Sequence, residues 1–238
     1  MTRLRRPEPA PQDDQQKDAH VTHADRQSAA DGHILIGGTG RAGTTLLVQY
    51  FTALGFDTGF TLERALSRVD DISRSGLEHP YKKGKAVGRR LAYVAKSPNY
   101  GQNLHDDLAS GELKVKHCII PVRELSAAAE SRRHVSRQAL AAGKTEADRQ
   151  KGGLVGGPAA DKRQEKILAV QFHRLVHTML TFDVPIHFLK FPEFAKGQQD
   201  LHAALGPIMT EHGVSKEESD QALELVLRPD FINEFKPS

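Results

Sequence analysis

Short apolar runs alternate with segments of helical periodicity along the chain from His33 onwards. The runs with the length of strands are residues 34–36, 91–95, 115–122 and 184–191. The segments in which apolar residues recur every three or four positions are 44–54, 125–142 and 161–182. Strands that alternate with helices are typical of βαβ units around a parallel sheet. The pattern therefore predicts an α/β fold of three layers, with a central parallel sheet flanked by helices.

Three segments lie outside this alternation. Residues 1–32 contain almost no large apolar side chain, so we expect a disordered tail before a single domain at 33–238. Residues 57–90 are charged and contain glycines, which suggests an irregular excursion over the sheet edge. The Gly-rich stretch 152–157 is either a mobile cover over a bound ligand or a flexible linker.

Composition narrows the class of protein. The net charge of +3 is too small to favour nucleic acid, and only 6% of residues are aromatic, with no Trp and no basic stripe. The single cysteine, Cys118, lies in an apolar run and is predicted to be a core thiol, so a disulfide framework is excluded. No apolar stretch approaches the ~20 residues of a membrane span, and prolines follow the basic N-terminus where a secretory signal needs an apolar core. These features favour a cytoplasmic protein.

The strongest chemical signal is the Gly-rich stretch at residues 37–45, which follows a predicted strand and opens a predicted helix. In that context successive backbone N–H groups and the helix N-terminus bind an anion. Arg41 adds a cation, and Thr44 and Thr45 add hydroxyl donors. The alternative interpretation is a tight turn without a ligand.

The loop departs from the nucleoside-triphosphate pattern G-x-x-x-x-G-K-[ST]. Gly38 and Gly43 have the required spacing, but Thr44 stands where that pattern has Lys. Predicted strands end in Lys96 and Arg123 rather than in an Asp that could hold Mg²⁺. Cationic side chains where a metal site would be expected favour an anionic donor substrate that binds without a metal ion.

Residues 41–45 resemble the 5′-phosphosulfate loop of sulfotransferases, usually [KR]-S-G-T-T, with Ala42 where Ser is usual. The second signature of that family is an apolar strand, an Arg, and a Ser eight residues later, for the 3′-phosphate. Arg123 and Ser131 match it in order and spacing. The resemblance covers most of residues 33–205 and is closest to bacterial sulfotransferase-like proteins, although only the two phosphate motifs are specific.

The resemblance implies a P-loop fold and transfer of a sulfuryl group from 3′-phosphoadenosine 5′-phosphosulfate (PAPS) to a hydroxyl or amine of a small-molecule or carbohydrate acceptor. It implies no metal. The donor-binding residues that it implies are Gly40, Arg41, Ala42, Gly43, Thr44, Thr45, Arg123 and Ser131. Among the cations that follow Ser131, one of Arg132, Arg133 and His134 is a candidate to support the 3′-phosphate, and the others are expected to be solvated.

Three residues are expected at the catalytic centre. Arg41 would stabilise the charge that develops on the leaving phosphate. Members of that family have a Glu or His between the loop and the next strands that acts as the general base. Glu63 is preferred for this role here over Glu78 and His79. Lys96, at a strand end before Ser and Pro, resembles an element that contacts the acceptor or the sulfonate. The alternative interpretation is a solvated helix-surface position for Glu63 and a solvated strand-end position for Lys96.

Two other functions stay open. One is a P-loop nucleotide kinase or ATPase with a degenerate loop, which would require Mg²⁺. The other is a non-catalytic module that binds an adenosine bisphosphate, which the missing Ser and the lack of a clear base would permit. The sequence identifies neither the acceptor nor the oligomeric state.

Overall fold

The computed structural model describes residues 32–68, 76–79, 81–82, 85–86, 91–143, 162–232 and 235. Four strands in this part form one sheet in the order β4-β1-β5-β6, and every pairing is parallel. Its strands are β1 (His33–Ile36), β4 (Val94–Lys96), β5 (Val115–Val122) and β6 (Ile186–Lys190). A separate antiparallel pair consists of β2 (Tyr81–Lys82) and β3 (Lys85–Ala86). The predicted parallel sheet is confirmed.

Helices connect the strands. They are α1 (Thr44–Ala53), α2 (Leu62–Ser67), α3 (Tyr100–Asn103), α4 (His105–Ser110), α5 (Leu125–Ala141), α6 (Gln164–Thr181), α7 (Leu201–Ala204), α8 (Gly206–Glu211) and α9 (Lys216–Val226). Short 3₁₀ turns lie at Phe194–Lys196 and Pro229–Phe231. The three helices expected from periodicity are confirmed to within a few residues where the structure describes them. The stretch expected to be irregular, 57–90, contains α2 and the β2–β3 pair.

The core lies on both faces of the sheet. Ile34 and Ile36 of β1 pack into one buried cluster with α1 and α9, and the intervening Leu35 packs into a second cluster with α3 and α6. This alternation follows from the pleat of a strand, because successive side chains point to opposite faces. The α/β arrangement with helices on both faces of a parallel sheet is therefore confirmed.

Cys118 lies in the second of these clusters and is fully buried. Burial raises the pKa of its thiol to about 12, so the thiol is inert at neutral pH, as expected of a core residue. Among the described helices, none is both long enough and apolar enough to cross a bilayer. The predicted tail at 1–32 falls almost wholly outside the described residues, and the proposed cover at 152–157 falls entirely outside them.

The order of the strands reverses at β1. β1 lies between β4 and β5, so the chain crosses from one side of β1 to the other. In open α/β sheets, ligands bind outside the carboxyl ends of the strands where the order reverses in this way. The segments that leave the carboxyl ends of β4, β1 and β5 contain Lys96, the Gly-rich loop and Arg123, in that spatial order.

Candidate functional site

Four residues of the loop have positive φ angles. Gly38, Gly40, Arg41 and Gly43 have φ angles of 119°, 66°, 59° and 79°. Changes between left-handed and right-handed conformations along a short segment can turn successive N–H groups toward a common centre, as in an anion-binding nest. Arg41 adopts the left-handed region without being glycine, a conformation that surrounding contacts must hold in place.

The loop ends at the N-terminus of α1. Gly43 caps this helix, and the first turn contains no acidic residue. The partial positive charge of the helix end is therefore available to an anion. A side chain at Gly43 has no room, because its Cβ would lie 2.6 Å from Cζ of Phe194. Ala42 is fully buried, so no atom of this residue is exposed at the loop surface.

On the β4 side of the loop, Lys96 is only 3% exposed. Its Nζ donates to Oγ1 of Thr45 at 3.0 Å and to Oε1 of Glu78 at 2.9 Å. The carbonyl oxygen of Gly76 accepts the third bond, at 2.5 Å. Burial lowers the pKa of Lys96, and the neighbouring carboxylate of Glu78 opposes that shift. The ammonium is thus fixed against the loop by three acceptors.

On the β5 side, Arg123 supports the loop from its backbone. Its Nη1 donates a 3.0 Å hydrogen bond to the carbonyl oxygen of Arg41. The guanidinium lies 5.0 Å from the ring centre of Phe191 and 5.6 Å from that of Phe235. Burial lowers the pKa of Arg123, although the group stays charged at neutral pH. The two rings keep the planar cation at the rim of the loop.

Arg41 and Ser131, which come from the two sequence motifs, are in direct contact. Nε of Arg41 donates to Oγ of Ser131 at 3.2 Å, and Ser131 is 1% exposed. The structure therefore brings together the residues that the sequence placed in a donor site, on both sides of one loop.

The three candidates for a general base occupy different environments. Glu63 is exposed in the first turn of α2. His79 uses both ring nitrogens: Nε2 donates to the carbonyl oxygen of Thr58, and Nδ1 accepts from the N–H of Lys96. Glu78 is exposed and ion-paired with Lys96 beside the loop. Of these three residues, Glu78 is the one whose side chain is held beside the loop, through its ion pair with Lys96. The geometry does not support the sequence-based preference for Glu63.

The cations after Ser131 also differ. Arg133 pairs with Glu165 and Glu130. Arg132 is 2% exposed, and its Nη2 donates to the carbonyl oxygen of Thr39 in the loop. Sequence reasoning expected most of these cations to be solvated. The signal that could have identified Arg132 is its helical spacing from Ala128 and Ser136, which are small buried residues of α5. This helix packs against α6.

Among the described residues, no three His, Cys, Asp or Glu side chains lie close enough to hold a metal ion. Comparisons with protein-family models, curated proteins and solved structures give no match. The geometry of the site must therefore support any functional conclusion by itself.

Proposed function

We propose that this protein has a P-loop fold and is a sulfotransferase that uses PAPS as its donor. The observation that carries the proposal is the 3.0 Å hydrogen bond from Nζ of Lys96 to Oγ1 of Thr45. In the nucleoside-triphosphate pattern, the residue at the Thr45 position binds Mg²⁺ through its hydroxyl. Here the ammonium group of Lys96 donates a hydrogen bond to the hydroxyl group of Thr45.

The second partner of Lys96 strengthens this interpretation. In phosphoryl-transfer enzymes of this type, a carboxylate holds the same Mg²⁺. Glu78 supplies a carboxylate at 2.9 Å, but to the ammonium of Lys96. A transferring sulfuryl group bears one negative charge, whereas a terminal phosphoryl group bears two. A single fixed ammonium therefore suits the lower charge of a sulfuryl group.

The loop suits the leaving side of such a reaction. As the acceptor oxygen attacks sulfur, the bond from sulfur to the bridging oxygen breaks, and that oxygen keeps the electron pair as part of a phosphate. The N–H groups of the loop and the N-terminus of α1 would stabilise the charge on this oxygen. Arg41 lies in the same loop and would add a guanidinium.

Arg123 and Ser131 suit the other end of the donor. The guanidinium of Arg123 lies against the rings of Phe191 and Phe235, and a guanidinium has the fork geometry that recognises a phosphate monoester. Arg123 and Ser131 both already contact Arg41, so a 3′-phosphate held there would lie next to the loop.

We assign the proton acceptor to Glu78 in place of Glu63. Its side chain is 41% exposed, which leaves it accessible to an acceptor hydroxyl, and Lys96 fixes its position. His79 is unsuited as the base, because its Nδ1 already accepts a hydrogen bond from the backbone N–H of Lys96. A proton added at Nδ1 would be repelled by that N–H group. The proton of the acceptor would pass to the Glu78 carboxylate as the new S–O bond forms.

The test is calorimetric titration with 3′-phosphoadenosine 5′-phosphate in EDTA, with ATP and Mg²⁺–ATP as competitors. We expect metal-free binding that Arg123→Ala weakens at least about tenfold, the effect of one charged hydrogen bond. The matched control Arg137→Ala removes an exposed guanidinium from α5 and should bind like wild type.

Preference for Mg²⁺–ATP would replace the proposal with a nucleotide kinase or ATPase. Tight bisphosphate binding without turnover of any hydroxyl or amine acceptor would identify a non-catalytic binding module.

A further inference from the structure

Arg132 lies beside the loop with most of its hydrogen-bonding capacity unused. Its Nη2 donates to the carbonyl oxygen of Thr39 and, at 3.4 Å, to Oε1 of Gln171. Within the described part of the chain, its Nε and Nη1 are buried and have no hydrogen-bond partner. A guanidinium carries five N–H donors, and more than half of them lie on these two nitrogens.

Among the described residues, no carboxylate compensates the charge of Arg132. Burial and the like charge of Arg41 lower the pKa of Arg132 to about 10, so it remains protonated at neutral pH. A buried cation is costly unless an anion pairs with it. The charged group that acts on it among the described residues is another cation, Arg41. Arg132 thus places a positive charge beside the loop that an anion would neutralise.

We infer that Arg132 is a ligand-binding residue that contacts a second anionic group, separate from the one held by the loop amides. It stands on the side of the loop that faces α5, since its Nη2 lies 3.5 Å from the Cβ position of Gly40. Ser131 and Arg41 meet on the same side. The chemical class of the second group is a phosphate or sulfate monoester. The inference rests on the proposed function for the identity of the whole ligand, in which this group is the 3′-phosphate.

A change in one observed contact would admit the anion. Nε and Nη1 of Arg132 are shielded from solvent. A phosphate offers Arg41 and Ser131 a charged acceptor, and a hydrogen bond between two ionised groups is stronger than the present bond from the Arg41 guanidinium to a neutral hydroxyl. Exchange of that bond for bonds to the anion brings the anion next to Arg132.

The experiment compares two nucleotides on three proteins. Wild type, Arg132→Gln and the control Arg137→Gln are titrated with 3′-phosphoadenosine 5′-phosphate and with adenosine 5′-monophosphate. Arg132→Gln should lose at least about tenfold in affinity for the bisphosphate, while its affinity for the monophosphate changes less than about threefold. Arg137→Gln, whose guanidinium is exposed on the same helix, should match wild type with both.

Equal losses for the two nucleotides would show that Arg132 only supports the loop through Thr39, and would overturn the inference. An unchanged bisphosphate affinity would also overturn it while leaving the proposed function intact. If Arg132→Gln does not fold, Arg132→Lys keeps the charge with fewer donors, and the same selective loss is required of it.

A third titrant separates this inference from the proposed function. Inorganic pyrophosphate supplies two linked anionic groups without a nucleoside. If wild type binds neither nucleotide but pyrophosphate raises its melting temperature, and raises that of Arg132→Gln by less, then the second anion site stands and the PAPS proposal fails. Equal stabilisation of both proteins by pyrophosphate would overturn the anion site as well.

Discussion

Nε of Arg41 and Oγ of Ser131 are joined by a 3.2 Å hydrogen bond across 90 residues of sequence. The bond links the loop that follows β1 to the helix that follows β5, so two sequence motifs that are distant along the chain lie side by side in the fold. It also directs the Arg41 side chain toward α5.

Ser131→Ala removes the acceptor that orients Arg41. We expect affinity for 3′-phosphoadenosine 5′-phosphate to fall about tenfold, because one hydrogen bond involving a charged group is lost. Calorimetry measures this change. Ser67→Ala, an exposed serine at the end of α2, is the control and should bind like wild type. If Ser131→Ala and Ser67→Ala bind the nucleotide with equal affinity, Ser131 makes no contribution to binding.

Lys96→Met replaces a buried ammonium with an apolar side chain of similar length. Sulfuryl transfer should slow about 10²–10³-fold, the effect of removing one preorganised electrostatic group. The free energy of unfolding should stay unchanged or rise, since the charged partner Glu78 is 41% exposed and can be solvated, and Thr45 can still donate to the carbonyl oxygen of Gly76. Single-turnover rates and urea unfolding give the two values. A large loss of stability with intact turnover would assign Lys96 a structural role.

Glu78→Gln and Glu63→Gln distinguish the two candidate bases. Loss of a general base lowers turnover by about 10²–10⁴-fold, which we expect for Glu78→Gln. Glu63→Gln lies on an exposed helix turn and should retain nearly full activity. Steady-state turnover with a saturating donor decides between them. The reverse ranking would restore the sequence-based assignment to Glu63.

Gly43→Ala tests the packing of the loop. Its Cβ would lie 2.6 Å from Phe194 in a backbone with φ of 79°, so overpacking and conformational strain combine to destabilise the fold by about 2–4 kcal/mol. Gly111→Ala has nearly the same φ, 73°, but meets no atom within 4 Å, so only strain of about 1 kcal/mol applies. Urea unfolding compares them. Equal destabilisation by Gly43→Ala and Gly111→Ala would mean that the Phe194 side chain moves aside without a loss of stability.

Stability should fall in mild acid. Burial lowers the pKa values of His79, His187 and His212 below 6.5, so the unfolded chain takes up protons near pH 6.5 that the folded chain resists. The stabilising effect of these neutral rings is complete above that pH and decreases as the pH falls below it. Urea unfolding at pH 7.5 and 5.5 should show lower stability at 5.5, with a smaller difference for His79→Gln. Higher stability at pH 5.5 would contradict this expectation.

Local chemistry was readable from the sequence. Val115–Val122 was predicted with the bounds that the structure has, because a short apolar run centred on Cys118, Ile119 and Ile120 and rich in β-branched residues is typical of a buried strand. The loop was predictable for a similar reason, since glycine adopts positive φ angles without steric cost and three of the four loop residues with positive φ are glycines. Parallel pairing followed from the alternation of strands and helices.

Tertiary structure decided how the side chains meet. The placement of Glu78 against Lys96 depends on residues 76–79, which have no periodicity to read. The burial of Arg132 depends on α5 packing against α6, while its neighbour Arg133 reaches the carboxylate of Glu165. Helical spacing predicts that an element forms, but a rotation of about 100° between successive residues decides which side chain meets the loop. That choice is made by packing between distant segments, and the sequence pattern alone does not contain it.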